Sequence, residues 1–355
     1  MQNSINFYKM EGLGNDFIII DANNQKNNYF NQKDNFFLLE EEFIKKISNR
    51  NTGIGCDQIA IFSLHNYIQN AKDNNEIDQI DQEDNQYNNQ IDQINQQDNT
   101  HNNEIGQIHT QDIKYSNQIN EINQTYETNI KNKPKLYLSI YNQDGSEVSM
   151  CVNIIRCIAT LIFKLYNIKE LDILIFNKLV TTSIEADNLA NINIGKANII
   201  NNINELELKN IVQKSGIEID YFKCINVGNN HLILIVNDAV NENLLDKFNF
   251  DIEKFGKYLS QHDIFKQLGG VNVNFVKILN RNKVAILVYE LGVGLTFACG
   301  SGAAASFYAT SQFGFTEKEI IAQFKYGNLH LSLNKNEEIN IKGECNLVFN
   351  GTYYF

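Results

Sequence analysis

Two cysteines in this chain are reached by the same kind of lead-in. In Tyr289-Glu290-Leu291-Gly292-Val293-Gly294-Leu295-Thr296-Phe297-Ala298-Cys299-Gly300-Ser301-Gly302, a β-branched run over 284–289 breaks at two glycines. Cys299 then opens an alanine-rich stretch, Ala303-Ala304-Ala305, that reads as a buried helix. In Asn142-Gln143-Asp144-Gly145-Ser146-Glu147-Val148-Ser149-Met150-Cys151, a strand over 136–141 turns at a glycine and reaches Cys151, followed by apolar residues at helical spacing over 152–164. The first turn of a helix carries unpaired N–H groups and partial positive charge, which favour a thiolate and hold an anion. A single cysteine beside small residues is more often an inert core thiol. The duplication carries the argument: two similar halves, with their helix ends facing, would set two thiols on opposite sides of one carbon. One would take a proton and the other return one, while Gly300 and Ser301 offer backbone donors to a carboxylate.

These residues and four further stretches, in order, resemble the diaminopimelate epimerase family: Gly12-Leu13-Gly14-Asn15-Asp16-Phe17, Gly53-Ile54-Gly55-Cys56-Asp57-Gln58, Val227-Gly228-Asn229-Asn230-His231 and Asn272-Val273-Asn274-Phe275. The resemblance covers nearly everything outside 67–130. It implies an α+β fold of two pseudo-symmetric β-rich, barrel-like domains, each wrapped around a central helix, with the active site in the cleft between them. It also implies cofactor-independent acid–base chemistry on a small-molecule amino acid. Motif by motif, Cys151 and Cys299 take the places of the family's two bases, and His231 and Glu290 those of the residues beside them, with His231 expected against Cys151 and Glu290 against Cys299. Asn15, Gln58, Asn142, Asn153, Asn229 and Asn272 match substrate-contacting positions, together with Val152, Leu291, Gly300 and Ser301. Neutral amides suit a zwitterion because each supplies donor and acceptor without net charge.

The sequence departs from the family at several of these positions. Leu291 stands where the family has the arginine that binds a distal carboxylate, and Val152 and Ile154 replace glycines of a Cys-Gly-Asn-Gly motif. Leu295 and Asn230 replace a glutamate and a proline. The implied activity is interconversion of LL- and meso-diaminopimelate in lysine biosynthesis. Leu291 leaves open a racemase for a shorter amino acid, and a binding or scaffold protein that has lost catalysis is the alternative from another class.

The remaining features bound the function more loosely. The 355 residues, 43% hydrophobic and 11% aromatic, suffice for two domains with real cores. The formal charge of −12 is concentrated in residues 67–130, where twelve acidic residues against two lysines give −10 and leave −2 for the rest. No basic stripe points to nucleic acid, and no apolar run has the length of a membrane span. The six cysteines include no Cys-x-x-Cys, and no histidine lies at metal-ligand spacing, so no metal is expected. With no leader segment evident, a cytoplasmic protein is expected, and a homodimer is left open.

The expected organisation is an N-terminal half over 1–66 and 131–190, a low-complexity disordered insertion over 67–130, and a C-terminal half over 191–344, with the last strand, 345–355, returning to the first half. Within these, a hairpin turns at 12–15, helices occupy 40–47 and 242–258 as well as the two cysteine-led segments, and strands recur at 58–62, 173–184, 197–199, 222–227, 232–236, 272–278, 329–333, 339–341 and 347–354.

Overall fold

Alternating burial through β1 (Ser4–Gly12) and unbroken burial at 17–20 in β2 (Asn15–Asp21) set the first hairpin, whose second strand is covered on both faces. The two pair antiparallel down to Gly12 opposite Asn15, so the chain turns on Leu13 and Gly14, as the sequence implies. Both turn residues have positive φ, 57° and 86°, which matches a two-residue loop to the strand twist. Leu13 bears the left-handed cost of about 1–2 kcal/mol, and its side chain is buried beside Gly327.

The structure, a computed structural model, describes residues 3–25, 31–33, 36–65, 135–176, 178–186, 188–213, 219–236 and 252–355. The insertion read at 67–130 and the part of the expected helix before residue 252 lie outside these. Met1–Ser63 with Tyr137–Phe355 make one compact unit, and Leu64–Leu136 a second.

In the first unit, short strands β3 (Asn31–Lys33) and β4 (Phe36–Leu38) precede α1 (Glu41–Ser48), whose buried Phe43, Ile44 and Ile47 pack with Ile18, Ile20, Ile59 and Ile61. Strand β5 (Gln58–His65) runs parallel to β2, and β6 (Lys135–Asn142) leads toward α2 (Val152–Tyr166). Helix α2 buries all eleven residues from Val152 to Ile162, the burial of a central helix rather than of an amphipathic surface one. Strands β7 (Glu170–Ile175), β8 (Lys178–Ala186) and β9 (Leu189–Asn193) follow as a meander.

The later part repeats the plan. After β10 (Asn198–Ile199) and α3 (Glu205–Gln213), strands β11 (Ile219–Asn226) and β12 (Asn230–Val236) pair antiparallel, and β12 then runs parallel to β13 (Asn272–Asn280), as β1, β2 and β5 do. Between them α4 (Ile252–Ser260) and a 3-10 turn at Asp263–Leu268 add Phe255, Leu259 and Phe265 to a core with Leu232, Leu234, Val273 and Phe275. Strands β14 (Lys283–Glu290) and β15 (Gly294–Thr296) lead to α5 (Gly300–Gln312), also buried along most of its length. Strands β16 (Glu319–Phe324), β17 (Gly327–Leu333), β18 (Ile339–Glu344) and β19 (Asn346–Tyr354) complete the chain.

Two pairings join distant parts of the chain: β9 lies against β18, and β19 lies against β1, the last strand on the first. The expected boundary at residue 190 falls inside β9. The α+β class with two central helices is as the sequence implies, whereas α3 and β16 were not among the expected elements.

Candidate active site

Both cysteines cap their helices. Cys151 precedes α2 and Cys299 precedes α5, each with extended backbone, φ −140° and −132°. The first residues of the two helices meet: a Cβ on Gly300 would lie 2.6 Å from Val152 Cβ. The Asn153 side-chain amide donates across the same junction to the Ala298 carbonyl, 3.3 Å away. Two positive helix ends are thus brought together, and Cys151 and Cys299 both open on one cleft of about 770 Å³.

The two sulfurs have different surroundings. Cys299 donates its S–H to Glu290 Oε2 at 3.3 Å, stands 3.4 Å from Ser301 Oγ, and accepts from the Gly302 N–H at 3.4 Å. Burial, and next the Glu290 charge, push its thiol well above 9.0, while Ser301 and Gly302 pull it down. Cys151 is half-buried; burial pushes its thiol up to about 12 against the opposing amides of Ile154 and Asn153. Burial also raises the Glu290 carboxyl above its ordinary 4.5, opposed by hydrogen bonds from Thr296 and Cys299. Glu290 Oε2, already accepting the Cys299 S–H, is placed to take that proton, and its own upward shift makes it a stronger base than an exposed carboxylate.

The cleft gathers thirteen of the fourteen residues singled out from the sequence: Asn15, Gln58, Asn142, Cys151, Val152, Asn153, Asn229, Asn272, Glu290, Leu291, Cys299, Gly300 and Ser301 all line it. Several hold one another in place. Gln58 Nε2 donates to Asn142 Oδ1 at 2.9 Å, Asn153 Nδ2 donates to Asn15 Oδ1 at 3.2 Å, and Asn272 Oδ1 accepts from the Leu291 N–H at 2.9 Å.

His231 is the exception. It is fully buried behind the cleft, with Nδ1 3.0 Å from Asn274 Nδ2 and Nε2 3.0 Å from Ser301 Oγ. The expected pairing with Cys151 is corrected accordingly: both ring nitrogens are occupied, and the second leads through Ser301 toward Cys299. Desolvation pushes the imidazole down to about 3, so it stays neutral.

Three residues shape the site without having been singled out. Arg156, wholly buried, donates from Nη2 to Asn153 Oδ1 at 2.8 Å, which turns the other end of that amide toward Asn15. Its signal was present in the sequence, since position i+3 on a helix lies on the same face as Asn153. Thr296 donates to Glu290 Oε1 at 2.6 Å. Asn274 is buried among Val273, Phe275 and Val276, where a polar side chain in an apolar strand asks for a partner. Among the described residues, no group of three or more His, Cys, Asp or Glu could hold a metal ion, and no helix is long and apolar enough to cross a membrane.

Comparison with known proteins places these features in context. A family model described as diaminopimelate epimerase matches residues 223–348. A diaminopimelate epimerase of Rickettsia felis is 27% identical over 354 residues, covering 100% of this chain and 99% of the relative. Among solved structures, a predicted epimerase from Pseudomonas aeruginosa matches with a TM-score of 0.59 at 9% identity, over 98% of this chain and 99% of that one. A hydroxyproline epimerase from Agrobacterium vitis, with bound trans-4-hydroxy-L-proline, matches with a TM-score of 0.51 at 9% identity, over 100% and 94%. At such identities the solved structures establish the fold alone.

Proposed function

We propose that this chain, an isomerase similar to the diaminopimelate epimerases over its whole length, interconverts LL- and meso-diaminopimelate by two-base proton transfer between Cys151 and Cys299. The observation that carries the proposal is the junction of the two helix ends, each capped by a cysteine opening on the same cleft.

The substrate's α-carboxylate sits at the paired helix N-termini and accepts from their free amides, where charge moving onto it in the transition state is stabilised. One sulfur, as thiolate, takes the α-hydrogen as a proton. The electron pair left on carbon is delocalised toward the carboxylate, and the other thiol delivers its proton to the opposite face. Glu290 generates the Cys299 thiolate by accepting its proton. The amides of Asn15, Asn142, Asn153, Asn229 and Asn272, with Gln58, bind the rest of the zwitterion.

A second substrate reading has its own support. The Leu291 side chain packs by Gly270, where a Cβ would meet Leu291 Cδ2 at 2.7 Å, and no lysine or arginine is among the described residues lining the cleft. A distal carboxylate thus lacks a cationic partner, which favours an amino acid without one. Losing one partner of a buried charge pair costs about 2–5 kcal/mol.

The test is exchange of the α-hydrogen in deuterated solvent. Incorporation into one amino acid, lost in both Cys151→Ser and Cys299→Ser, is expected. Exchange surviving in either variant removes the two-base mechanism, and no exchange with any amino acid offered returns the protein to the scaffold class. Comparing diaminopimelate with lysine, which lacks the distal carboxylate, decides between the two substrates.

A further inference from the structure

The Asn274 amide settles how the buried imidazole behind the cleft is protonated. Its Nδ2 lies 3.0 Å from His231 Nδ1 and also 3.4 Å from the Leu232 carbonyl oxygen. A carbonyl only accepts, so the end of the amide facing both groups is the NH₂. His231 Nδ1 therefore accepts, and the neutral ring carries its hydrogen on Nε2, which donates to Ser301 Oγ at 3.0 Å. With that lone pair engaged, the serine hydroxyl has its own hydrogen to give, and Cys299 Sγ is 3.4 Å away. The sulfur cannot be the donor in that contact, because its single hydrogen is spent on Glu290.

We infer that Ser301 is a further catalytic residue and Asn274 a positioning residue, forming with His231 a one-directional relay of donors that ends on Cys299 and stabilises its thiolate. The inference rests on Cys299 being one of the two bases, and it deepens that assignment by giving the two cysteines unequal support. Cys299 has a carboxylate to take its proton and a hydroxyl plus the Gly302 amide to hold the anion, whereas Cys151 has amides of its own helix. Two further observations fit. Asn274 Oδ1 is buried without a partner among the described residues, so the residue is held for what its other end does. Gly302 has no side chain where a Cβ would overlap that same oxygen, so the close approach of Asn274 depends on it. His231, kept neutral by burial, does not supply a proton as a cation; it fixes the direction of the serine hydroxyl.

Among the described residues, the charged and titratable groups around Cys299 are Glu290 on β14, Asp57 before β5 acting on Glu290, His231 on β12 behind Ser301, and Cys151 across the helix junction. A readout confined to one sulfur is therefore needed. The pH dependence of iodoacetamide alkylation, resolved for Cys299 and Cys151 by peptide mass spectrometry in the full chain, supplies it and requires no substrate. In Ser301→Ala the Cys299 midpoint is expected to rise by about one pH unit, an approximately tenfold slower reaction below the midpoint, with Cys151 unmoved. Ser301→Thr restores the wild-type profile. Asn274→Leu shifts Cys299 in the same direction, since a freed ring can place its lone pair on Nε2 and draw the serine hydrogen away from sulfur. If Asn274→Leu does not fold, the Ser301 pair decides alone. An unmoved Cys299 midpoint in Ser301→Ala, or an equal shift at both cysteines, overturns the relay. Failure of the amino-acid exchange test with this alkylation pattern intact would instead count against the isomerase assignment only.

Discussion

At the scale of single residues, the chemistry depends on how Glu290 is held. Burial lifts its carboxyl above 4.5, and the Thr296 hydroxyl, 2.6 Å from Oε1, opposes that lift. Because the carboxylate form accepts the Cys299 proton, activity should rise with pH through the raised value, placing the acid limb of kcat/KM above pH 4.5. Thr296→Val removes the opposing donor and should move that limb further up, with the plateau little changed; a pH–rate profile of α-hydrogen exchange measures it. A limb unmoved by Thr296→Val would mean that another group titrates there. The cysteines and Glu290 were legible because they stand in recognisable stretches. Thr296 was not, since its reach to Glu290 exists only once the chain folds back at Gly292 and Gly294, with Glu290 opposite Gly294 and Val288 opposite Thr296. His231 was found but given the wrong neighbour: position in a motif says which residue arrives, while the packing of Asn274 and Ser301 decides which way each ring nitrogen points.

At the scale of elements, the site is the contact between two helix ends, and the sizes of Val152 and Gly300 are matched to it. A methyl on Gly300 would overlap Val152, at 2.6 Å from Cβ and 2.7 Å from Cγ1. Gly300→Ala should therefore push α2 and α5 apart, lower exchange at least tenfold, and cost about 1–3 kcal/mol of stability, the range for overpacking. Adding Val152→Gly should return most of the activity, though a glycine inside the first turn retains a penalty of about 0.5–1 kcal/mol. Exchange rates and thermal midpoints of the two single variants and the double variant check this, and additive losses would show that the two residues do not share a contact. The helices and most strands were readable because apolar spacing of 3.6 or 2 is a local signal. The course of β9 was not, since its five residues alternate burial like any strand, and nothing local says that the partner is β18, some 150 residues on. Helix α3 escaped because only Leu208, Ile211 and Val212 of its nine residues are buried, too few to make a clear periodic stripe.

At the scale of the whole molecule, buried thiols shape the response to alkali, two of them in cores away from the cleft. Cys56 lies in the core around α1, and Cys224 in the core around β12 and β13. Burial is the main reason each is pushed up to about 12 from an ordinary 9.0. The sign follows directly: between these values the unfolded chain has lost both protons while the folded chain keeps them, so deprotonation favours unfolding and stability falls as pH rises from 9 toward 12. Each thiol contributes about 1.4 kcal/mol per pH unit over that window, and together about 3 kcal/mol per unit. Two units above the onset, the loss is about 6 kcal/mol, comparable to the lower end of an ordinary domain's stability, about 5–15 kcal/mol. Tyr8 and Tyr166, also raised chiefly by burial, add to the same trend at higher pH. The expected measurement is a denaturant midpoint that holds near neutral pH and drops steeply above pH 9. The Cys56→Ala, Cys224→Ala double variant should start lower, because two core side chains are trimmed, yet decline with a shallower slope, the remainder coming from Cys151, Cys157 and Cys299, whose thiols burial also raises. An alkaline slope equal to wild type in that variant would assign the transition to the tyrosines, to Cys157 or to the cleft cysteines instead.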